Sequence, residues 1–233
     1  MNEPEPAINI NQYSIVVLGA MNPAIHHPKW YQAVGMLTDD EAGQAVRSGG
    51  LVVIPHVAQF QTAGMLIQCT TDRWQVNTAE AQHRRRMLDL AVNTFDRLAE
   101  TPISAYGFNA QFDVTVDLRV VTSLGVTSSQ KPLDLSFHGM DPALESFAFS
   151  YSFPPLEIAG QPRVHRQLKA TIARSSRARD ALVVDTNAHH QIEPEPQFSR
   201  FDLPVLLRES ADVHATEDAL LRHLLSRLAG PGE

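Results

Sequence analysis

The segment from Ile103 to Leu118, ISAYGFNAQFDVTVDL, decides the fold of this chain. Apolar and polar residues alternate there without a break over positions 106–117. Period-two alternation of this length is typical of a β-strand that has one face on a core and the other face in water. We therefore predict a long amphipathic strand, around which the remaining elements are arranged.

A long helix is predicted immediately before this strand, over 78–100, because apolar residues recur there at helical spacing. Only the corner Thr101-Pro102 separates the two elements. A second helix is predicted over 216–228 from the same kind of apolar stripe. The predicted fold class is therefore α+β, with antiparallel sheet and long helices packed on one of its faces.

The two halves of the chain share an order of predicted elements. A flexible leader at 1–12 is followed by strands, a hairpin and a long helix over 13–100, and by a similar series over 103–230. This order predicts a degenerate tandem repeat of a sheet-plus-helix unit, although residue identity between the halves is slight. The competing layout is one continuous sheet in one continuous domain.

Composition indicates an ordinary globular protein, with 43% hydrophobic and 19% charged residues and a net charge of −7. The N-terminal residues lack the features of a secretory signal, and no uncharged apolar run reaches membrane-spanning length. The single cysteine, Cys69, excludes an internal disulfide framework and a cysteine-rich metal site. We expect a cytoplasmic protein that has no cofactor and does not bind membranes.

The chain contains no GxSxG elbow, phosphate-binding loop, GxGxxG or HExxH motif, and this lowers the expectation of an enzyme. The leading hypothesis is a non-catalytic binding or adaptor protein that is a component of a larger protein assembly. Its contact surface would be an exposed strand edge or the aromatic-rich strand predicted over 144–153. Association with further copies of the chain is compatible with this hypothesis.

A metal-dependent hydrolase is the first alternative. Asp185 and His189 follow an apolar strand, and a carboxylate with an imidazole can bind a metal or transfer protons. A second histidine such as His26 would have to approach them. A polar strand end explains the same residues, and a solvated loop explains His26 and the nearby Trp30, which is otherwise a candidate for ligand contact.

The second alternative is a nucleic-acid-associated accessory factor that uses a basic hairpin over 163–179, a segment without an acidic residue. Arginine side chains bind phosphate through a planar fork of donors. The simpler interpretation is a solvated hairpin tip, since no aromatic stacking platform lies nearby in the sequence. The basic residues of the segment are Arg163, Arg166, Lys169, Arg174, Arg177 and Arg179.

The polar side of the organising strand is the last candidate site, and its residues include Asn109, Gln111 and Asp113. A row of polar groups on a sheet lines a ligand groove when nothing covers it, or is simply exposed to solvent. Gly107 and Asn109 are unusual inside a strand and indicate a close approach by another group.

Overall fold

The computed structural model describes residues 8–115, 148–152, 156–158, 161–176, 181–193 and 202–209, together with positions 219, 222 and 223. The described strands are β1 (Ile8–Gly19), β2 (Val52–Ile54), β3 (Val57–Thr62), β4 (Met65–Thr70), β5 (Arg73–Thr78), β6 (Ile103–Thr115), β7 (Ala148–Ser152), β8 (Leu156–Ile158), β9 (Gln161–Arg174) and β10 (Ala181–Ile192). The helices with defined bounds are α1 (Pro28–Ala33), α2 (Asp39–Arg47), α3 (Arg84–Arg97) and α4 (Asp202–Glu209), and short 3-10 helices occupy Pro23–Ile25 and Ala81–His83.

All ten described strands belong to one antiparallel sheet. Nine of them follow the order β2-β3-β4-β5-β1-β6-β10-β9-β7, and β8 pairs with β9 beside this path. The pairing of β1 with β6 joins the strands of the first half of the chain to those of the second. The sheet is therefore continuous across both halves, and the tandem-repeat relation between them stays a prediction.

The predicted fold class is wrong, because the protein is mostly antiparallel sheet with short helices instead of long helices packed on a sheet. The helix predicted over 78–100 is reduced to α3, which has 14 residues. Positions 73–78 form β5, which pairs with β1 on one side and β4 on the other. Thr78 is thus the one residue of the predicted helix that lies in a strand, and Ala81–His83 form a 3-10 helix before α3 begins at Arg84.

The second predicted helix, over 216–228, falls almost entirely outside the described residues. Positions 219, 222 and 223 are described, and they are helical and exposed. The second half also contributes α4, which has eight residues and packs against α3.

The core lies on the face of the sheet that α2 and α3 cover. The predicted alternation of β6 is confirmed, since Phe108, Phe112 and Val114 are at most 1% exposed. The helix α3 adds Phe95, whose ring meets the ring of Trp74 edge-on at 5.4 Å between centroids. Buried aromatic pairs of this kind add about 0.5–1.5 kcal/mol to the effect of burial alone.

Two local features fix how the chain enters these elements. The capping box predicted at the start of α2 is confirmed, because the Thr38 hydroxyl accepts a hydrogen bond from the amide of Glu41 and the Glu41 carboxylate accepts one from the amide of Thr38. Between β3 and β4 the chain turns at Ala63 and Gly64, which have φ values of 44° and 74°. Positive φ at both turn residues matches the right-handed twist of a two-residue hairpin.

Two strands are longer than the sequence predicts. β1 begins at Ile8, so positions 8–12 of the predicted leader are extended and pair with the far end of β6. β10 continues past Asp185 to Ile192, because Thr186, Ala188 and His190 turn alternate side chains into the core.

The junction of β1 and β6 predicts the outcome of a glycine substitution. A Cβ atom at Gly19 would overlap the backbone carbonyl oxygen of Pro102, which already accepts a hydrogen bond from Ala20. We expect Gly19→Ala to lower the free energy of unfolding by about 2 kcal/mol or more, since backbone has to move. Gly50→Ala is the matched control, because a Cβ there meets open space. Urea unfolding of both variants measures the difference, and equal stability would contradict this description of the junction.

Candidate functional site

One face of the sheet, opposite the core, carries amide and hydroxyl side chains, and we call it the polar face. Directly opposed residues on neighbouring antiparallel strands place their side chains on the same face of a sheet. The register aligns one such row across five strands, and we call it the central row. From β5 to β9 it consists of Asn77, Ser14, Asn109, Asn187 and Lys169.

Two further rows flank the central row. On one side lie Gln59, Gln68, Gln75, Val16, Gly107, His189 and Gln167. On the other side lie Gln12, Gln111, Asp185, Thr171 and Ser150. Because strands are about 4.8 Å apart, polar side chains on adjacent strands of a row lie within hydrogen-bonding reach of each other.

Hydrogen bonds between strands hold these side chains in place. The Asn109 amide nitrogen donates to the Ser14 hydroxyl at 3.1 Å, and the Gln12 amide nitrogen donates to the Asn77 side-chain oxygen at 2.8 Å. Side chains that are tied to a neighbour lose less rotamer freedom when a ligand binds, and so are preorganised for recognition.

A glutamine ladder extends the same pattern toward β3. The Gln75 amide donates to Gln68, and the Gln68 amide donates to Gln59 at 2.6 Å. In the other flanking row, the Gln111 amide nitrogen donates to the Asp185 carboxylate at 2.7 Å. Asp185 is therefore held on the polar face by an uncharged partner.

Two adjoining cavities open on the polar face, with volumes of about 310 Å³ and 250 Å³. The first is near the lower end of the usual size range of small-molecule sites. The residues that line both cavities are Gln12, Ser14, Asn109 and Asn187. The larger one is also lined by Val16, Leu18, Arg73, Gly107 and His189, among others.

Several residues proposed from the sequence meet at these cavities. Asn109 and Gln111 lie beside Asp185 and His189, because β6 and β10 are neighbours in the sheet. Asp113 lies one step further along β6, opposite Val183. The predicted polar side of the organising strand and the predicted polar end of β10 are thus parts of one surface.

His26 lies on the opposite side of the sheet from Asp185 and His189. It is 1% exposed, and its Nδ1 atom is 2.7 Å from the hydroxyl of Tyr31, which accepts a hydrogen bond from the Trp74 indole at 3.0 Å. Burial lowers the pKa of His26 to about 4. The structure therefore does not bring His26 to the proposed metal ligands, and it holds the ring neutral within the core.

Trp30 belongs to the same buried cluster. Its ring packs edge-on against Tyr31 at 4.8 Å and against His26 at 5.9 Å between centroids. The indole is partly exposed at one side of the cluster, while the polar face lies across the sheet from it. Trp30 therefore contributes packing to the first half of the core.

The basic residues of 163–179 do not form a single patch among those described. Lys169 is exposed on the polar face, whereas Arg166 is opposite His190 and Arg174 is opposite Leu182 on the other face of the sheet. Arg177 and Arg179 lie outside the described residues, and the side chain of Arg163 does also.

His190 is a buried titratable group that the sequence did not single out. Its ring is fully buried and stacks on Tyr106, with centroids 4.4 Å apart and planes within 7° of parallel. Burial lowers the pKa of His190 to about 4, and the charge of Arg166 acts in the same direction. A neutral imidazole packs against an aromatic ring without the cost of burying a charge.

The first-half residues of the polar face were missed by sequence reasoning. Gln59, Gln68 and Gln75 occupy outward positions on three successive strands, and apolar residues separate them from their outward neighbours along each strand. Amide side chains at alternate positions of apolar strands could have predicted a polar face on the first half of the sheet. Only the register shows that this face continues to Asn109 and Asn187.

No protein-family model matches the chain, and no curated protein is significantly similar to it in sequence. None of the helices in the described part of the chain has the length and apolarity needed to cross a membrane.

The two buried histidines predict a pH-dependent stability. Both have a folded-state pKa near 4, below the ordinary 6.5, so the unfolded chain binds protons first as the pH falls. Each histidine should therefore lower the free energy of unfolding by roughly 2 kcal/mol between pH 7 and pH 5. Urea unfolding at both pH values measures this change. His26→Gln and His190→Gln should each remove about half of it, and a wild-type stability that is flat over this interval would contradict the assignment.

Proposed function

We propose that the protein is a non-catalytic binding or adaptor protein, a subunit of a larger protein assembly that binds its partner through the edges of the sheet. The supporting observation concerns exposed apolar side chains. Three of the five large ones among the described residues lie on the two edge strands. They are Val52 and Ile54 on β2, which are 41% and 51% exposed, and Tyr151 on β7, which is 50% exposed.

Edge strands are suited to this role because they present unpaired backbone N–H and C=O groups to another chain. At one end of the sheet, β2 pairs only with positions 57–59 of β3. Positions 60–62 of β3 pair with β4 on one side, and no described strand pairs with them on the other side. The partner that fits is an extended segment with apolar side chains, added to the sheet as a further strand.

The buried thiol of Cys69 supports a cytoplasmic location, and the exposed apolar edge of the sheet supports self-association as one form of the partner contact. Cys69 is fully buried, and burial raises the pKa of its thiol to about 12, which fits a structural thiol in a reducing cytoplasm. A second copy of the chain could supply the added strand, since both copies carry the same apolar edge. The partner is therefore either another protein or a homo-oligomer built edge to edge.

Charged substitutions on β2 test this proposal. Val52→Lys combined with Ile54→Lys should abolish partner capture, because lysine on an edge strand opposes strand addition. Val205→Lys is the matched control, since Val205 is 42% exposed on α4 and away from the edges. Affinity purification with mass spectrometry compares the three proteins, and sedimentation velocity of the purified chains measures self-association.

The expected result is one set of stoichiometric partners, or a concentration-dependent oligomer, that is lost with the β2 variant and kept with Val205→Lys. If the β2 variant and Val205→Lys both capture the partners as well as the wild-type chain does, the β2 edge is not the contact surface. A monomeric wild-type chain that captures nothing and turns over a substrate would overturn the proposal itself.

A further inference from the structure

The two cavities of the polar face share four wall residues and lie side by side across β1, β6 and β10. We propose that they bind a neutral polyhydroxylated ligand, namely a short oligosaccharide. This surface is separate from the sheet edges, so the inference does not depend on the proposed partner contact.

Unused hydrogen-bonding groups on the walls support this class of ligand. Gln12 donates to Asn77 through its nitrogen, which leaves the Gln12 oxygen as an acceptor and the Asn77 nitrogen as a donor. Asn109 donates one of its two amide hydrogens to Ser14, and exposed Asn187 keeps both its donor and acceptor groups. Adjacent hydroxyl groups of a sugar need donors and acceptors in pairs, and carboxamides provide both from one side chain.

The walls of the two cavities carry balanced charge. Among the described residues that line the two cavities, the one fixed cation is Arg73 and the one carboxylate is Asp185. Asp185 already accepts a hydrogen bond from Gln111. A phosphate site requires a surplus of positive donors and a metal site requires converging carboxylates or imidazoles, so balanced charge favours an uncharged ligand.

The shape of the walls fits a sugar ring. Gly107 has no side chain, so the wall of the larger cavity between Val16 and His189 is backbone, and a Cβ atom there would lie 3.3 Å from the carbonyl oxygen of Ala188. Val16 and Leu18 supply apolar surface against which the C–H groups of a pyranose can pack. The distance between strands, about 4.8 Å, is close to the length of one such ring, so polar groups on successive strands meet successive substituents.

Affinity is expected to be low. Tyr106 is the one phenylalanine, tyrosine or tryptophan at the described walls, and its ring is stacked on His190 in the core and so is not offered to the ligand. Without an aromatic platform, a site of this size that relies on exchanged hydrogen bonds should have a Kd on the order of 0.1–1 mM.

Nuclear magnetic resonance of the full chain provides the test, because side-chain amide signals report directly on the walls. Cellotriose, maltotriose and inorganic phosphate are titrated separately to about 20 mM, well above the expected Kd. Asn109→Ala and Asn187→Ala remove wall amides, and Asn93→Ala is the matched control at an exposed position of α3. Gly107→Val narrows the larger cavity, and because its Cβ would lie 3.3 Å from the carbonyl oxygen of Ala188, urea unfolding of this variant checks that it stays folded.

A saturable shift of the Asn109 and Asn187 amide signals with either trisaccharide supports the proposal. Its Kd should rise at least tenfold in the two wall variants and in Gly107→Val, and stay unchanged in Asn93→Ala. The proposal is overturned if neither trisaccharide shifts these signals, if the wall variants bind as the wild type does, or if phosphate binds there more tightly than the sugars. The β2 variant retains its walls, so sugar binding by that variant separates this inference from the partner proposal.

Discussion

The antiparallel pairing of β1 with β6 is the contact on which the rest of the structure depends. It places the first half of the chain beside the second in one sheet, and its register sets both faces at once. Tyr13 and Phe112 meet edge-on at 5.8 Å in the core, while Ser14 and Asn109 meet on the polar face. A slip of one residue would exchange the two faces, exposing the aromatic rings and burying the amides. The apolar core therefore specifies the polar surface as well.

Neighbouring amides on the polar face satisfy one another across strands, as in the glutamine ladder from Gln75 to Gln59. Each bond of this kind adds only about 0.5–1.5 kcal/mol net, because water offers the same partners to the unfolded chain. Their main effect is order, since they fix the positions of donors and acceptors before any ligand arrives. The face is thus specific in geometry although it is nearly neutral in charge.

Local patterns predicted the elements whose signals are contained in one segment. The alternation of β6 and the capping box at Thr38 and Glu41 are of this kind, and both are confirmed. The helix over 78–100 was predicted too long, because its first residue, Thr78, is held in β5 by Tyr13 and Met65 on neighbouring strands, and a 3-10 helix at Ala81–His83 precedes α3. The polar face could be predicted only in part. Asn109 and Gln111 lie on one strand and show in its alternation, whereas the register of the sheet, which the sequence does not reveal, places Ser14 and Asp185 beside them.

The buried chain of hydrogen bonds from Trp74 through Tyr31 to His26 also determines what an optical experiment on this protein measures. Trp30 and Trp74 are the only tryptophans of the sequence, and both contact Tyr31 within the core of the first half. The intrinsic fluorescence of the protein therefore originates from one place beneath the sheet. Its emission reports on the opening of that core and on the charge of His26.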